Sequence, residues 1–241
     1  MIGCDCAICR STDPRDARTR SSIFVETPEC AFVVDTGTDF RTQVLRENIR
    51  HLDAVVFTHS HTDHIMGFDD LRRFGDERGG TMPIYASAET MADLMRVFEF
   101  AFNGKNRFPG YLQPEPRLVC GAFELGQTTI TPLPVPHGHS TVNGYLFSRG
   151  TEKLVAYLSD CSAVPDEVSR QIDGVQILII DALRHKPHPT HLSVEQALEV
   201  ASRVRPEQTY FTHISHELPQ AAEAHLPART HIAYDGLKLE L

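Results

Sequence analysis

The sequence predicts an α+β fold, and three observations carry that prediction. Short runs rich in β-branched and aromatic residues recur along the chain and read as strands, separated by stretches of helical character. Those strands repeatedly end in a residue able to hold a metal ion: His59 and His61, Asp63 and His64, His137, Asp160, His213. No repeat of fixed period, low-complexity tract or domain boundary interrupts the 241 residues, which are read as one domain, residues 1–241.

Composition narrows the class. With 41% hydrophobic and 23% charged residues and no tryptophan, the chain reads as an ordinary globular domain. No apolar run approaches the ~20 residues of a membrane span. The start, Met1-Ile2-Gly3-Cys4, has neither the basic nor the apolar region of a secretory signal. A formal charge of −9 argues against a broad nucleic-acid surface, although local basic pockets remain open. Three of the six cysteines, Cys4, Cys6 and Cys9, are too crowded for a disulfide framework. Metal binding in a reducing cytoplasm accounts for them better, and a cytoplasmic location with no membrane partner is expected.

The elements follow in order. Residues 3–9 form a C-x-C-x-x-C knuckle whose three thiolates leave a tetrahedral zinc one ligand short, so a fourth must come from elsewhere. Strands are predicted over Ser22–Glu26 and Ala31–Val34, the second running into Asp35, which is read as orienting ligands rather than binding metal. A helix covers Phe40–Asn48. The apolar run Ala54-Val55-Val56-Phe57 then delivers His59-Ser60-His61-Thr62-Asp63-His64, with Gly67 closing the turn. Alternate side chains leaving a strand converge, so His59 and His61 suit one ion while Asp63 and His64 face a second. Imidazole with carboxylate suits zinc, manganese or iron.

Further on, Phe68–Phe74 reads as helical, Asp76–Thr81 as a polar turn and Pro83–Ala86 as a strand. Ser87 caps a helix from Ala88 to about Phe102. The Pro- and Gly-containing stretch Asn103–Pro116 is expected to be a loop, either a substrate lid or a linker. Strands are predicted at Phe123–Leu125, Thr128–Leu133, Val142–Phe147, Leu154–Leu158, Val175–Ile180 and Thr209–Thr212. A helix covers Pro165–Gln171. Ser193 with Gln196 resembles a capping box for a helix ending near Val204.

Taken together, the order of His59/His61, Asp63/His64, His137, Asp160 and His213 closely resembles the metallo-β-lactamase superfamily over nearly the whole chain. The resemblance implies a four-layer αββα sandwich. It implies that His59, His61 and His137 hold one metal, that Asp63, His64 and His213 hold a second, and that Asp160 bridges them. The Cys4-x-Cys6-x-x-Cys9 knuckle resembles the branch that contains the phosphoribosyl 1,2-cyclic phosphate phosphodiesterase. There such cysteines, with a histidine three residues after the last active-site histidine, bind a structural zinc; His216 stands at that place. The segment Pro189-Thr190-His191-Leu192-Ser193 matches the branch's segment bearing a general acid, which implies that role for His191. Relative to that pattern the first strand is missing, which would leave an edge unpaired and a homodimer open.

The implied activity is hydrolysis of a small phosphodiester, cyclic as in phosphoribosyl 1,2-cyclic phosphate. Two zinc or manganese ions would share a hydroxide, oriented by Asp63, and His191 would protonate the leaving alkoxide. Arg184, Lys186, Lys105 and Arg107 are candidates for a second substrate phosphate, each equally readable as surface charge. Thioester and other ester hydrolases, lactamases and RNA-processing nucleases share the first motif, so these remain alternatives, as does a non-catalytic binding module.

Overall fold

A computed structural model describes residues 1–75, 79–105, 108 and 110–241. The polar turn expected at 76–81 therefore lies partly, and Arg107 wholly, outside the described residues. The chain divides into two compact units, residues 20–127 and residues 1–19 with 128–241.

The unit of residues 20–127 contains β1 (Ile23–Glu26), β2 (Ala31–Val34), α1 (Phe40–Glu47), β3 (Ala54–Val56), α2 (Thr62–Ile65), α3 (Arg72–Gly75), β4 (Thr81–Ala86), α4 (Ala88–Val97), α5 (Glu99–Phe102), β5 (Gln113–Leu118) and β6 (Phe123–Leu125). Its sheet runs β1-β2-β3-β4-β5, antiparallel at β1–β2 and parallel from β2 onward. Every residue of β2 and β3 is buried, which is why both read as unbroken apolar runs without polar alternation. Val33 and Val55 pack with Phe57, Phe68, Ile84, Met91 and Leu94 into this unit's core.

Two expectations are corrected here. The helix predicted from Ala88 to about Phe102 breaks at Phe98, whose φ of −111° and ψ of 38° leave the helical region. The break turns the Phe98 ring onto Phe68 at a centroid distance of 4.5 Å. The loop expected over Asn103–Pro116 ends early, because residues 113–118 form β5 at the edge of the sheet. Pro114 and Pro116 occupy alternate positions of an edge strand, where a missing N–H on the open side forfeits no ladder hydrogen bond.

The other unit contains β7 (Thr128–His137), β8 (Ser140–Arg149), β9 (Glu152–Leu158), α6 (Asp166–Gln171), β10 (Ile177–Asp181), α7 (Val194–Val204), β11 (Gln208–Thr212) and β12 (Thr230–Ile232). The strands order as β12-β11-β10-β9-β8-β7, parallel from β9 to β12 and antiparallel at β7–β8 and β8–β9. Strand β7 runs past the expected Leu133 to His137, and Gly138, at φ +64°, opens the two-residue turn that starts β8. The predicted capping box is present in full: Ser193 accepts from the Gln196 N–H, and the Gln196 side chain accepts from the Ser193 N–H. The N-terminal segment is tied to this unit. Arg18 donates to the Leu218 carbonyl and to Gln220, and the Asp16 carboxylate accepts from the Gln220 N–H at 2.7 Å. Among the described residues no helix is long and apolar enough to cross a membrane.

The capping box gives a stability test. Ser193→Ala is expected to cost roughly 1 kcal/mol, read as a lower urea midpoint at unchanged slope. An unchanged midpoint would show that the α7 terminus contributes nothing to the cooperative unit.

Candidate metal centres

In the unit of residues 20–127, the ligand motif is placed by two parallel strands. Val34 pairs with Val56, so Asp35 and the segment Phe57-Thr58-His59 leave the sheet side by side at its carboxyl edge. Thr36 N–H donates to the His64 carbonyl and Gly67 N–H to the Thr36 carbonyl, both at 2.8 Å, which stitches the motif to the turn after β2. Only glycine fits at this seam: a Cβ on Gly37 would lie 2.2 Å from the Asp63 carbonyl, and one on Gly67 2.4 Å from the Gly37 carbonyl.

Asp35 is fully buried and carries a left-handed φ of 63°, tolerable for an aspartate. Its Oδ1 accepts from the Thr58 N–H at 2.8 Å, and its Oδ2 from the Thr58 hydroxyl at 2.7 Å and His64 Nδ1 at 2.8 Å. Burial pushes the Asp35 carboxyl upward, and the His64 charge opposes that shift. With its proton given to Asp35, the Thr58 hydroxyl accepts from His59 Nδ1 at 3.0 Å. Both imidazoles are thereby held with Nδ1 engaged and Nε2 as the remaining donor atom, the arrangement that metal-ligating histidines need. The His59 ring lies 4.5 Å from that of His61, which is exposed, and 4.2 Å from that of His64. Asp63 Oδ2 is 3.8 Å from His64 Nε2.

In the other unit, three parallel strands end together. Ile180 is in register with Leu158 and Asp181 with Thr212, so Asp160, Asp181 and His213 emerge at one edge. His137, at the end of β7, donates from Nδ1 to the Thr190 carbonyl at 2.7 Å, again leaving Nε2. Asp160 Oδ2 lies 3.2 Å from His213 Nε2, 4.0 Å from His137 Nε2 and 3.9 Å from His191 Nδ1. Donors sharing one zinc at tetrahedral angles sit about 3.4 Å apart, given Zn–N and Zn–O of roughly 2.0–2.2 Å, so the spacing fits a divalent ion. His213 adopts a left-handed φ of 54°, a backbone cost concentrated at a site residue.

His191 is held as His64 is, by a buried acid at Nδ1. Its Nδ1 bonds to Asp181 Oδ2 at 2.7 Å, and its ring stacks on His213 at 4.6 Å and 14°. Asp181 is fully buried, and burial pushes its carboxyl well above the usual carboxylate range against the opposing charge of His213.

A third cluster lies in the unit of residues 1–19 with 128–241. Cys4, Cys6, Cys9 and His216 place their ligand atoms within 4.8 Å of one another. The Cys4 and Cys6 sulfurs are each 3.5 Å from His216 Nδ1. A tetrahedral zinc with Zn–S of about 2.3 Å and Zn–N of about 2.0–2.1 Å requires an S···N edge of roughly 3.5 Å. The Cys9 N–H, followed by His216, lowers the Cys6 thiol to about 6, so it reaches the thiolate form that binds metal at neutral pH.

Other candidates resolve as follows. Arg184 and Lys186 both pair with Glu217, the lysine at 3.6 Å. Lys105 is exposed after α5. Cys161 is fully buried, burial pushing its thiol well up, in keeping with a packing role. Sequence reasoning gave no role to Thr58 or Asp181. Asp181 carried one signal, an acid ending a buried strand as Asp160 does.

Comparison with known proteins agrees with this geometry. Residues 31–214 match the family described as the beta-lactamase superfamily domain. The crystal structure of a new diphosphatase from the PhnP family superposes with a TM-score of 0.91 at 42% identity, covering 99% of this chain and 90% of that one. The octanoyltransferase of Porphyromonas gingivalis is 32% identical over 246 residues, covering 98% of this chain, although the chain spans only 48% of that protein. Ribonuclease Z of a Bradyrhizobium strain is 26% identical over 179 residues, or 70% of this chain and 58% of that one.

Because Asp35 sets the orientation of His64 directly and that of His59 through Thr58, Asp35→Asn is expected to weaken divalent-metal affinity about 10–100-fold. Competition with a chromophoric chelator reads this, with circular dichroism confirming the fold. Wild-type affinity in a folded Asp35→Asn protein would refute the orienting role.

Proposed function

The chain belongs to the metallo-β-lactamase superfamily, within its PhnP family, and on that premise we propose that it hydrolyses a small phosphodiester at a dinuclear metal centre. The expected fold class is the fold of that family, and hydrolysis is its chemistry. Carrying the family's ligand pattern over residue by residue assigns His59, His61 and His137 to one divalent ion. Asp63, His64 and His213 go to a second, with Asp160 shared. Such ions supply Lewis acidity and a nucleophile at neutral pH when bound. Cys4, Cys6, Cys9 and His216 are assigned a separate structural zinc. The relatedness to a diphosphatase supports cleavage at phosphorus, and a cyclic phosphodiester such as phosphoribosyl 1,2-cyclic phosphate remains the substrate we favour.

The observation that carries this reading is the pair of His191 with buried Asp181 at 2.7 Å, set against Asp160 and His213. Asp181 fixes the ring through Nδ1, so Nε2 is the nitrogen left to present a proton. An alkoxide leaving group needs that proton as its bond to phosphorus breaks. We assign Asp63, in the first turn of α2, the role of orienting the attacking hydroxide.

The test is metal content by mass spectrometry with hydrolysis of bis(p-nitrophenyl) phosphate by the same sample. His191→Ala is expected to keep its metals and lose about 10²–10⁴ in kcat. Full turnover in that variant would remove His191 from the mechanism. Inert metal-loaded wild-type protein that instead cleaves thioesters would replace the phosphodiester reading. Separately, Cys6→Ser is expected to lose about one equivalent of zinc, while retained zinc would refute the structural site.

A further inference from the structure

We propose that His188 is a positioning residue for the candidate metal ligand His137, acting on it through Thr190. This rests on the assignment of His137 to a divalent ion made above, and it adds a residue to which the ligand pattern gives no role. One side of the link is the bond already described, from His137 Nδ1 to the Thr190 carbonyl at 2.7 Å. On the other side His188 Nδ1 faces the same residue, 3.1 Å from the Thr190 hydroxyl and 3.4 Å from its backbone N–H.

Donor counting fixes the direction of these bonds. A backbone N–H can only donate, so His188 Nδ1 accepts and carries a lone pair. The His188 ring is therefore neutral, with its proton on Nε2. Burial, followed by the charge of His191, holds the His188 imidazole below its ordinary value, in keeping with that form. Thr190 thus turns its N–H and hydroxyl toward His188 and its carbonyl toward His137. Holding the first two restrains the residue from which the carbonyl projects.

The surroundings stiffen the arrangement. Pro187 and Pro189 flank His188, and their rings lock two backbone angles in this short stretch. A Cβ on Gly138, the neighbour of His137, would lie 2.8 Å from the Thr190 methyl, so glycine there admits Thr190 against the end of β7. The base of the loop is closed by the Leu183 N–H to the Leu192 carbonyl and the Val194 N–H to the Arg184 carbonyl, both at 3.0 Å. Between those closures, the His188–Thr190 bonds restrain the residue whose carbonyl His137 uses.

The experiment reads the histidine tautomers of metal-free protein from long-range 15N–1H correlation spectra, with divalent-metal affinity measured in parallel by chelator competition. Wild type is expected to show His188 protonated on Nε2 and His137 on Nδ1. His188→Ala and Thr190→Val are each expected to let His137 average between tautomers and to weaken metal affinity about tenfold, with no further loss in the double variant. His188→Asn, whose Oδ1 falls near the place of Nδ1, is expected to recover most of both. A single His137 tautomer with wild-type affinity in His188→Ala would overturn the proposal, and so would losses that add in the double variant. His64, held by Asp35 in the other unit, is the control. Tautomer averaging there as well would show a general loosening and would equally overturn it. If wild type binds no divalent metal, the metal-centre reading fails by itself, and the His137 tautomer in the metal-free spectra decides for His188.

Discussion

A carboxylate withdrawn from water governs the candidate metal-binding histidines that lie in residues 20–127. Asp35 is fully buried, and an isolated charge there would be costly, so its presence is only sustainable because Thr58 and His64 together satisfy it. That satisfaction runs both ways. Each donor it accepts is itself fixed, so one desolvated acid sets the rotamer and tautomer of His64 and, through Thr58, those of His59. The left-handed backbone of Asp35 and the glycines at 37 and 67 are the local costs of bringing the turn after β2 this close to the motif.

The other unit solves the same problem with the same device. Parallel strands end in register, and the residues that leave their carboxyl ends are the ones with chemistry: Asp160, Asp181 and His213. Open parallel sheets commonly place ligands at that edge, because side chains from several strands converge there without needing long loops. Asp181 repeats for His191 what Asp35 does for His64, a buried acid behind an imidazole Nδ1. In the proposed function the two differ in task, His64 holding a metal and His191 moving a proton.

Much of this was legible in the sequence where the information was local. The run His59-Ser60-His61-Thr62-Asp63-His64 announces a metal motif because its spacing alone brings the donors together. Ser193 and Gln196 announce a helix start for the same reason. The cysteine knuckle asks for a fourth donor from elsewhere, and the His216 ring nitrogen stands within 4.8 Å of its sulfurs. Asp35 was read as an orienting residue, and that is how it is placed. What sequence did not disclose depends on register or approach. Thr58 matters because β2 and β3 align Asp35 with it. The misread elements fail for a related reason: Pro114 and Pro116 signal a loop unless the strand is known to lie at an edge, and Phe98 gives no hint that it will break a helix to reach Phe68.

The cysteine cluster has a thermodynamic reach that its small size conceals. Cys4 and His216 are separated by 212 positions, so an ion held by both closes a ring through most of the polypeptide. Closing a loop removes conformational freedom from the unfolded chain, and the effect grows with the logarithm of loop length. A cross-link around a loop of about 100 residues is worth on the order of 4–5 kcal/mol in the chain-entropy picture. A zinc ion held there would therefore lengthen the life of this protein in its folded state.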